Sequence, residues 1–283
     1  MRALSPALIL MLTMSVTVPA AAQTALPPVH ANAVIPQPPP SAPIASWVAS
    51  GKRATMSVDA GGATLRGWSY TGADPALPTV LFFNGNGAAI ADLDALYRSV
   101  AALGPRIVVF DYRGYGFSGG AADVAAFQQD ALALYDAVAK DAGRSAVVYG
   151  FSLGAPIAAF VAAHRPVEGV ILAAAMANAR EELPVFAKGR GAPDVIANAL
   201  VAAPDAEAAF DDLGFVARST APLLVLHGTA DEAVPIAQGR EVLAASAAAR
   251  KRIVELPNTG HNGTVSAPAS MAAVREFLTS LRR

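Results

Sequence analysis

The 283-residue chain contains no cysteine. That excludes disulfides, thiolate zinc sites and a lipoprotein anchor. Charge is also scarce: Lys, Arg, Asp and Glu make up 15% of the chain and leave a formal net charge of −1. No global field draws the protein to nucleic acid or to an anionic membrane. There are four histidines, and none falls in a metal-ligand spacing such as H-E-x-x-H, so no metal is expected. No phosphate-cradling G-x-x-x-x-G-K-[ST] run is present, and no tandem repeat is visible. What remains is a chain that is 54% hydrophobic, a figure raised by alanine, and long enough to bury a substantial core.

The N-terminus reads as a secretory signal over residues 1–22. Arg2 supplies a minimal positive region, Leu8-Ile9-Leu10-Met11-Leu12 centres an apolar stretch, and Ala20-Ala21-Ala22 precedes Gln23. The stretch is short for a spanning helix, which needs about 20 apolar residues. Membrane contact follows only if the segment stays uncleaved. The expected location is periplasmic or secreted. Residues 23–45 are rich in Pro and Ala around Pro38-Pro39-Pro40 and read as an extended linker, with His30 idle inside it. The remaining 46–283 read as one domain, expected as a monomer.

Within that domain strands and helices alternate. Strand signals fall at 54–58, 64–70, 79–83, 107–110, 146–149, 170–174, 223–226 and 252–256. Helical signals fall at 89–103, 124–139, 153–164, 238–248 and 269–281. Most of the strands are continuous apolar runs, as a sheet covered on both faces requires. The expected fold is α/β, a mostly parallel sheet with helices on both faces. In such a sheet, chemistry sits beyond the carboxyl ends of the strands.

Four strand ends carry candidate groups. Gly150-Phe151-Ser152-Leu153-Gly154 is a G-x-S-x-G elbow between strand and helix, which nominates Ser152 as the nucleophile. A serine hydroxyl needs a base. His164 ends a helix and His227 closes a strand, so both suit packing or local hydrogen bonds. His261, in the loop after the last strand, is the candidate base. Asp231 follows the strand at 223–226 and is the candidate acid, with Glu232 and Asp211 as alternatives. The order Ser152, Asp231, His261 suits an α/β sheet and differs from the orders in chymotrypsin and subtilisin. Backbone N–H groups of Leu153 and Asn86 are the candidate oxyanion donors, with the Asn84 side chain as a lesser one. Gly114-Tyr115-Gly116-Phe117-Ser118-Gly119 matches G-x-G-x-x-G, but no acidic residue ends the next strand, so no dinucleotide and no other cofactor is expected.

The runs Phe82-Phe83-Asn84-Gly85-Asn86-Gly87, Asp111-Tyr112-Arg113-Gly114-Tyr115-Gly116, Gly150 to Gly154, His227-Gly228-Thr229-Ala230-Asp231 and Gly260-His261-Asn262 together resemble the α/β-hydrolase superfamily. They look most like its Bem46-like serine hydrolase branch. The likeness runs from about residue 57 to the C-terminus. It implies an eight-stranded sheet and hydrolysis of an ester, thioester or amide of a small-molecule acyl substrate. Relatives commonly carry His where Asn84 stands, which bears on the local hydrogen bonds of that loop. The irregular stretch 176–212 lies where this fold inserts a cap, and reads either as a small cap over an acyl pocket or as a structural excursion. An acyltransferase, or a binding protein without turnover, would use the same fold.

Overall fold

The computed structural model describes residues 53–177 and 209–282. The expected signal segment at 1–22, the linker at 23–45 and residues 178–208 of the expected cap lie outside the described residues. Among the described residues, no helix is long and apolar enough to cross a membrane.

The first two strands, β1 (Arg53–Ala60) and β2 (Ala63–Tyr70), form an antiparallel hairpin around Gly61-Gly62. Then follow β3 (Val80–Phe83), β4 (Ile107–Phe110), β5 (Val147–Phe151), β6 (Gly169–Ala173), β7 (Leu223–Gly228) and β8 (Lys251–Leu256). These strands make one sheet in the order β1-β2-β4-β3-β5-β6-β7-β8. β2 runs antiparallel to β4, and every pairing from β4 to β8 is parallel. Every residue of β3 to β7 is buried, which is why these segments are apolar without alternation. β8 is an edge and is mostly part-exposed.

The helices are α1 (Asp94–Ala101), α2 (Val124–Ala142), α3 (Gly154–His164), α4 (Asp212–Arg218), α5 (Ile236–Ala245) and α6 (Pro268–Ser280). One face of the sheet packs on Phe127, Leu134, Ala158, Val161 and Phe215 from α2, α3 and α4. The other packs on Tyr97 and Val100 from α1 and on Val274, Phe277 and Leu278 from α6. The Asp123 carboxylate caps α2 by accepting from Ala125 N–H, and Gly143 closes that helix at φ 66°.

The helix expected at 89–103 divides. A 3-10 turn, Ile90–Leu93, precedes α1. Side chains take the first free N–H groups: Asp92 accepts from Ala89 at 3.2 Å, and Asp111, beyond β4, accepts from Ile90 at 2.8 Å. The segment is therefore tied to its neighbour strand before it becomes a regular helix. The helix expected at 238–248 begins two residues earlier, after Pro235, and ends at Ala245. The chain enters and leaves 178–208 at held positions. Ala177 N–H donates to the buried Gln238 Oε1 at 2.9 Å, and Gln128 Nε2 donates to Ala209 O at 3.3 Å.

Candidate active site

Ser152 stands where β5 ends and α3 begins, with φ at 51°. A side chain at positive φ crowds the following carbonyl, so this backbone is strained. The surroundings enforce it. Ser152 N–H donates to Ala173 O at 2.9 Å, continuing the β5–β6 ladder through the nucleophile. A Cβ on Gly150 would lie 2.2 Å from Gly154 O, and one on Gly154 would lie 2.1 Å from Phe83 O. Only glycine allows so close an approach of strand, turn and helix at these two positions.

His261 comes from the 3-10 turn His261–Val265 after β8, and Asp231 from the loop after β7. The His261 Nε2 lies 3.0 Å from Ser152 Oγ. Its Nδ1 lies 2.9 Å from Asp231 Oδ2 and 3.1 Å from Oδ1. Asp231 also accepts N–H groups of Ala233 and Val234 at 3.0 and 2.9 Å. Burial raises the pKa of the Asp231 carboxyl, but the hydrogen bonds from His261 and Val234 outweigh it and hold the group below its ordinary value. An ionised carboxylate only accepts, so Nδ1 carries the imidazole proton and Nε2 turns its lone pair to the serine hydroxyl. The Asp231 side chain is fully buried while the His261 side chain keeps 19% exposure. The ring of Phe151 lies against that of His261, centroids 5.1 Å apart.

His227 sits behind the acid, fully buried, its Nε2 3.7 Å from Asp231 Oδ2. That nitrogen donates to Val234 O at 2.8 Å. Burial lowers its pKa, so the ring is neutral and packs beneath Asp231. The His164 ring lies tilted against that of Phe160, centroids 4.1 Å apart, and its Nδ1 pairs with Phe160 O within α3. Asp211 caps α4 through Gly214 N–H, and Glu232 is exposed.

The loop after β3 abuts the elbow: a Cβ on Gly85 would lie 3.5 Å from Ser152 Cβ and 3.0 Å from the Phe151 ring. Asn84 is buried, and its amide Nδ2 donates to Ala88 O at 2.9 Å and Gly85 O at 3.3 Å, bracing the loop from within. Asn86 and Leu153 thus stand on the two segments that meet beside Ser152. Residues 111–117 reach the same loop from the next strand. Tyr112 Oη donates to Asn84 O at 2.6 Å and Tyr115 Oη to Asn86 Oδ1 at 3.0 Å. Sequence reasoning gave these residues no individual role, although their place at the end of β4 was a usable signal.

Comparisons with known proteins bear on the family and the fold. The family model described as "Serine aminopeptidase, S33" matches residues 74–209. An uncharacterized protein of Mycobacterium tuberculosis is 29% identical over 243 residues, which is 84% of this chain and 83% of the relative. The lysophosphatidylserine lipase ABHD12 of Danio rerio is 30% identical over 178 residues, covering 58% of this chain and 46% of that lipase. Among solved structures, the Pyrococcus furiosus esterase PF2001 superposes with a TM-score of 0.70 at 15% identity, covering 88% of this chain and 98% of its own.

Proposed function

The chain belongs to the α/β-hydrolase superfamily, and from that premise we propose that it is a serine hydrolase acting on a carboxylic ester through an acyl-enzyme. The observation that carries the reading is the run of hydrogen bonds from Asp231 through His261 to Ser152 Oγ. In the proposed reaction Ser152 Oγ attacks the ester carbonyl carbon while its proton passes to His261 Nε2. Asp231 stabilises the imidazolium. Backbone N–H groups of Asn86 and Leu153 hold the tetrahedral oxyanion. Collapse expels the alcohol, which takes the proton from His261. Water then attacks the acyl group, gives a proton to His261, and the acid leaves as Ser152 is restored. The likeness to the Bem46-like branch is the narrower form of the same reading.

A fluorophosphonate probe tests the proposal. Wild-type protein should label at one site, and Ser152→Ala should not label. The variant should also lose about 10⁶ in kcat on p-nitrophenyl esters, as triads elsewhere do. Unlabelled wild-type protein, or equal labelling of Ser152→Ala, would sink the proposal. Esters of rising acyl length, with a lysophospholipid, a thioester and a peptide amide beside them, define the substrate class.

A further inference from the structure

We propose that Tyr115 is a positioning residue for the oxyanion hole, its hydroxyl holding the Asn86 side chain so that the Asn86 N–H stays aimed at the substrate carbonyl. This rests on the assignment of Asn86 N–H as an oxyanion donor.

The loop between β3 and α1 is held at both ends. At one end Asn84 O accepts from Tyr112 Oη, and at the other Ile90 N–H donates to Asp111 Oδ1. Between these points the chain passes Gly85, Asn86 and Gly87, with Gly87 exposed and at φ 86°. The Asn86 N–H lies in a peptide whose plane turns with the ψ of Gly85, and glycine restricts that angle least. Asn84 Nδ2 braces Gly85 O and Ala88 O from within the loop, but neither bond reaches the Asn86 side chain, whose own tie comes from outside. The hydrogen bond from Tyr115 Oη to Asn86 Oδ1 supplies that tie at 3.0 Å.

Tyr115 is itself well fixed. It is 1% exposed and lies edge-on to Tyr112 and Phe127, with centroids 5.6 and 6.2 Å away. Two residues before it, Arg113 binds the Asp130 carboxylate of α2 at 2.5 and 2.9 Å and the carbonyls of Ala60 and Gly61 at 2.9 and 3.1 Å. Two residues after it, Phe117 N–H donates to Asp111 Oδ2 at 2.9 Å. The donor of the tie is thus anchored to a helix and to the β1–β2 hairpin. Asn86, its acceptor, is part-exposed and sits at the loop's freest point.

A buried phenol also seeks a partner for reasons of stability alone, so the experiment must separate positioning from folding. Tyr115→Phe keeps the ring and removes the hydroxyl. On p-nitrophenyl butyrate, kcat should fall about tenfold with KM within about twofold, short of the roughly 100-fold or more that deleting an oxyanion donor costs. A trifluoromethyl ketone, which forms a hemiketal oxyanion on Ser152, should lose affinity by the same factor. Asn86→Ala breaks the tie from the other side and should match it, and the double variant should be no worse than either single one. Should Tyr115→Phe melt far below wild type, Asn86→Ala decides the matter. Wild-type kcat in that deciding variant, a loss confined to KM, or multiplying losses in the double variant would overturn the inference. If wild-type protein itself neither labels with fluorophosphonate nor turns over esters, the proposed function has failed instead.

Discussion

The nucleophile turn and the loop that faces it meet at Ser152, yet different forces hold them. The elbow is shaped by its own backbone. Its φ of 51° and its two close carbonyl contacts, at Gly150 and Gly154, are local sterics between β5, α3 and the end of β3. The loop at 84–90 contains no strained non-glycine residue, and its positive φ falls on Gly87. It is held by hydrogen bonds: from within by Asn84 and Asp92, and from residues 111–115 by Asp111, Tyr112 and Tyr115. One half of the site is rigid by geometry and the other by tertiary hydrogen bonds. The elbow should therefore fail through chemistry, and the loop through the loss of distant partners.

After the loss of Ser152 itself, the largest expected effect lies at the acid behind His261. Asp231→Asn keeps the shape of the acid but offers an amide where His261 Nδ1–H needs a carboxylate. On the proposed function kcat should drop by about 10⁴ with the fold intact, because the favoured tautomer turns the wrong nitrogen to Ser152. Steady-state kinetics and circular dichroism check it. Turnover near the wild-type rate would move the acid role elsewhere and break the contrast at its strongest point.

This division also sets what the sequence reveals. Gly150, Ser152 and Gly154 lie within five residues, so their mutual sterics leave a legible pattern. His261 and Asp231 are separated from Ser152 by long stretches, but each follows a strand, and parallel topology brings strand ends together. Position therefore nominated them. The mostly parallel character of the sheet was legible because strands such as β3 to β7 are continuous apolar runs that alternate with helices. The ties from Tyr115 and Asp111 to the loop at 84–90 were not legible. Their partners, Asn86 and Ile90, lie across a strand pairing, and nothing in Asp-Tyr-Arg-Gly-Tyr-Gly says which side chain meets which group of that loop. The 3-10 turn at Ile90–Leu93 escaped likewise, because its apolar spacing is helical and its tie to Asp111 is tertiary.

A smaller effect tests the loop through pH. Burial pushes the Asp111 carboxyl up from 3.8 to about 6, against the downward pull of its bonds from Phe117 and Ile90. The folded state thus holds this proton more tightly than the unfolded chain. Its contribution favours folding below about pH 4 and is lost as pH rises toward 6. The shift of roughly two units corresponds to about 3 kcal/mol. Urea unfolding of wild type and Asp111→Asn at pH 4.5 and 7 should show a difference between the proteins that changes by about 2 kcal/mol, the part of the shift that falls in this window. A difference independent of pH would mean the loop's brace is not a desolvated carboxylate.

The smallest effect returns to the elbow and isolates its strain from its chemistry. Ser152→Ala and Ser152→Gly both remove the hydroxyl, so both should be inactive on the proposed function. They differ in what they do to φ 51°. Relief of the Cβ clash is worth roughly 1–2 kcal/mol, while the extra freedom of glycine in the unfolded chain takes back about 0.5–1 kcal/mol. The clash wins by a narrow margin, so Ser152→Gly should be more stable than Ser152→Ala by up to about 1.5 kcal/mol. The same Ala-to-Gly step at Ala158, inside α3, should run the other way by about 1 kcal/mol, because a right-handed helix offers no clash to relieve. Thermal melts of the four proteins settle the sign. If glycine is destabilising at both positions, the elbow stores no backbone strain, and its rigidity must come from packing as the loop's comes from hydrogen bonds.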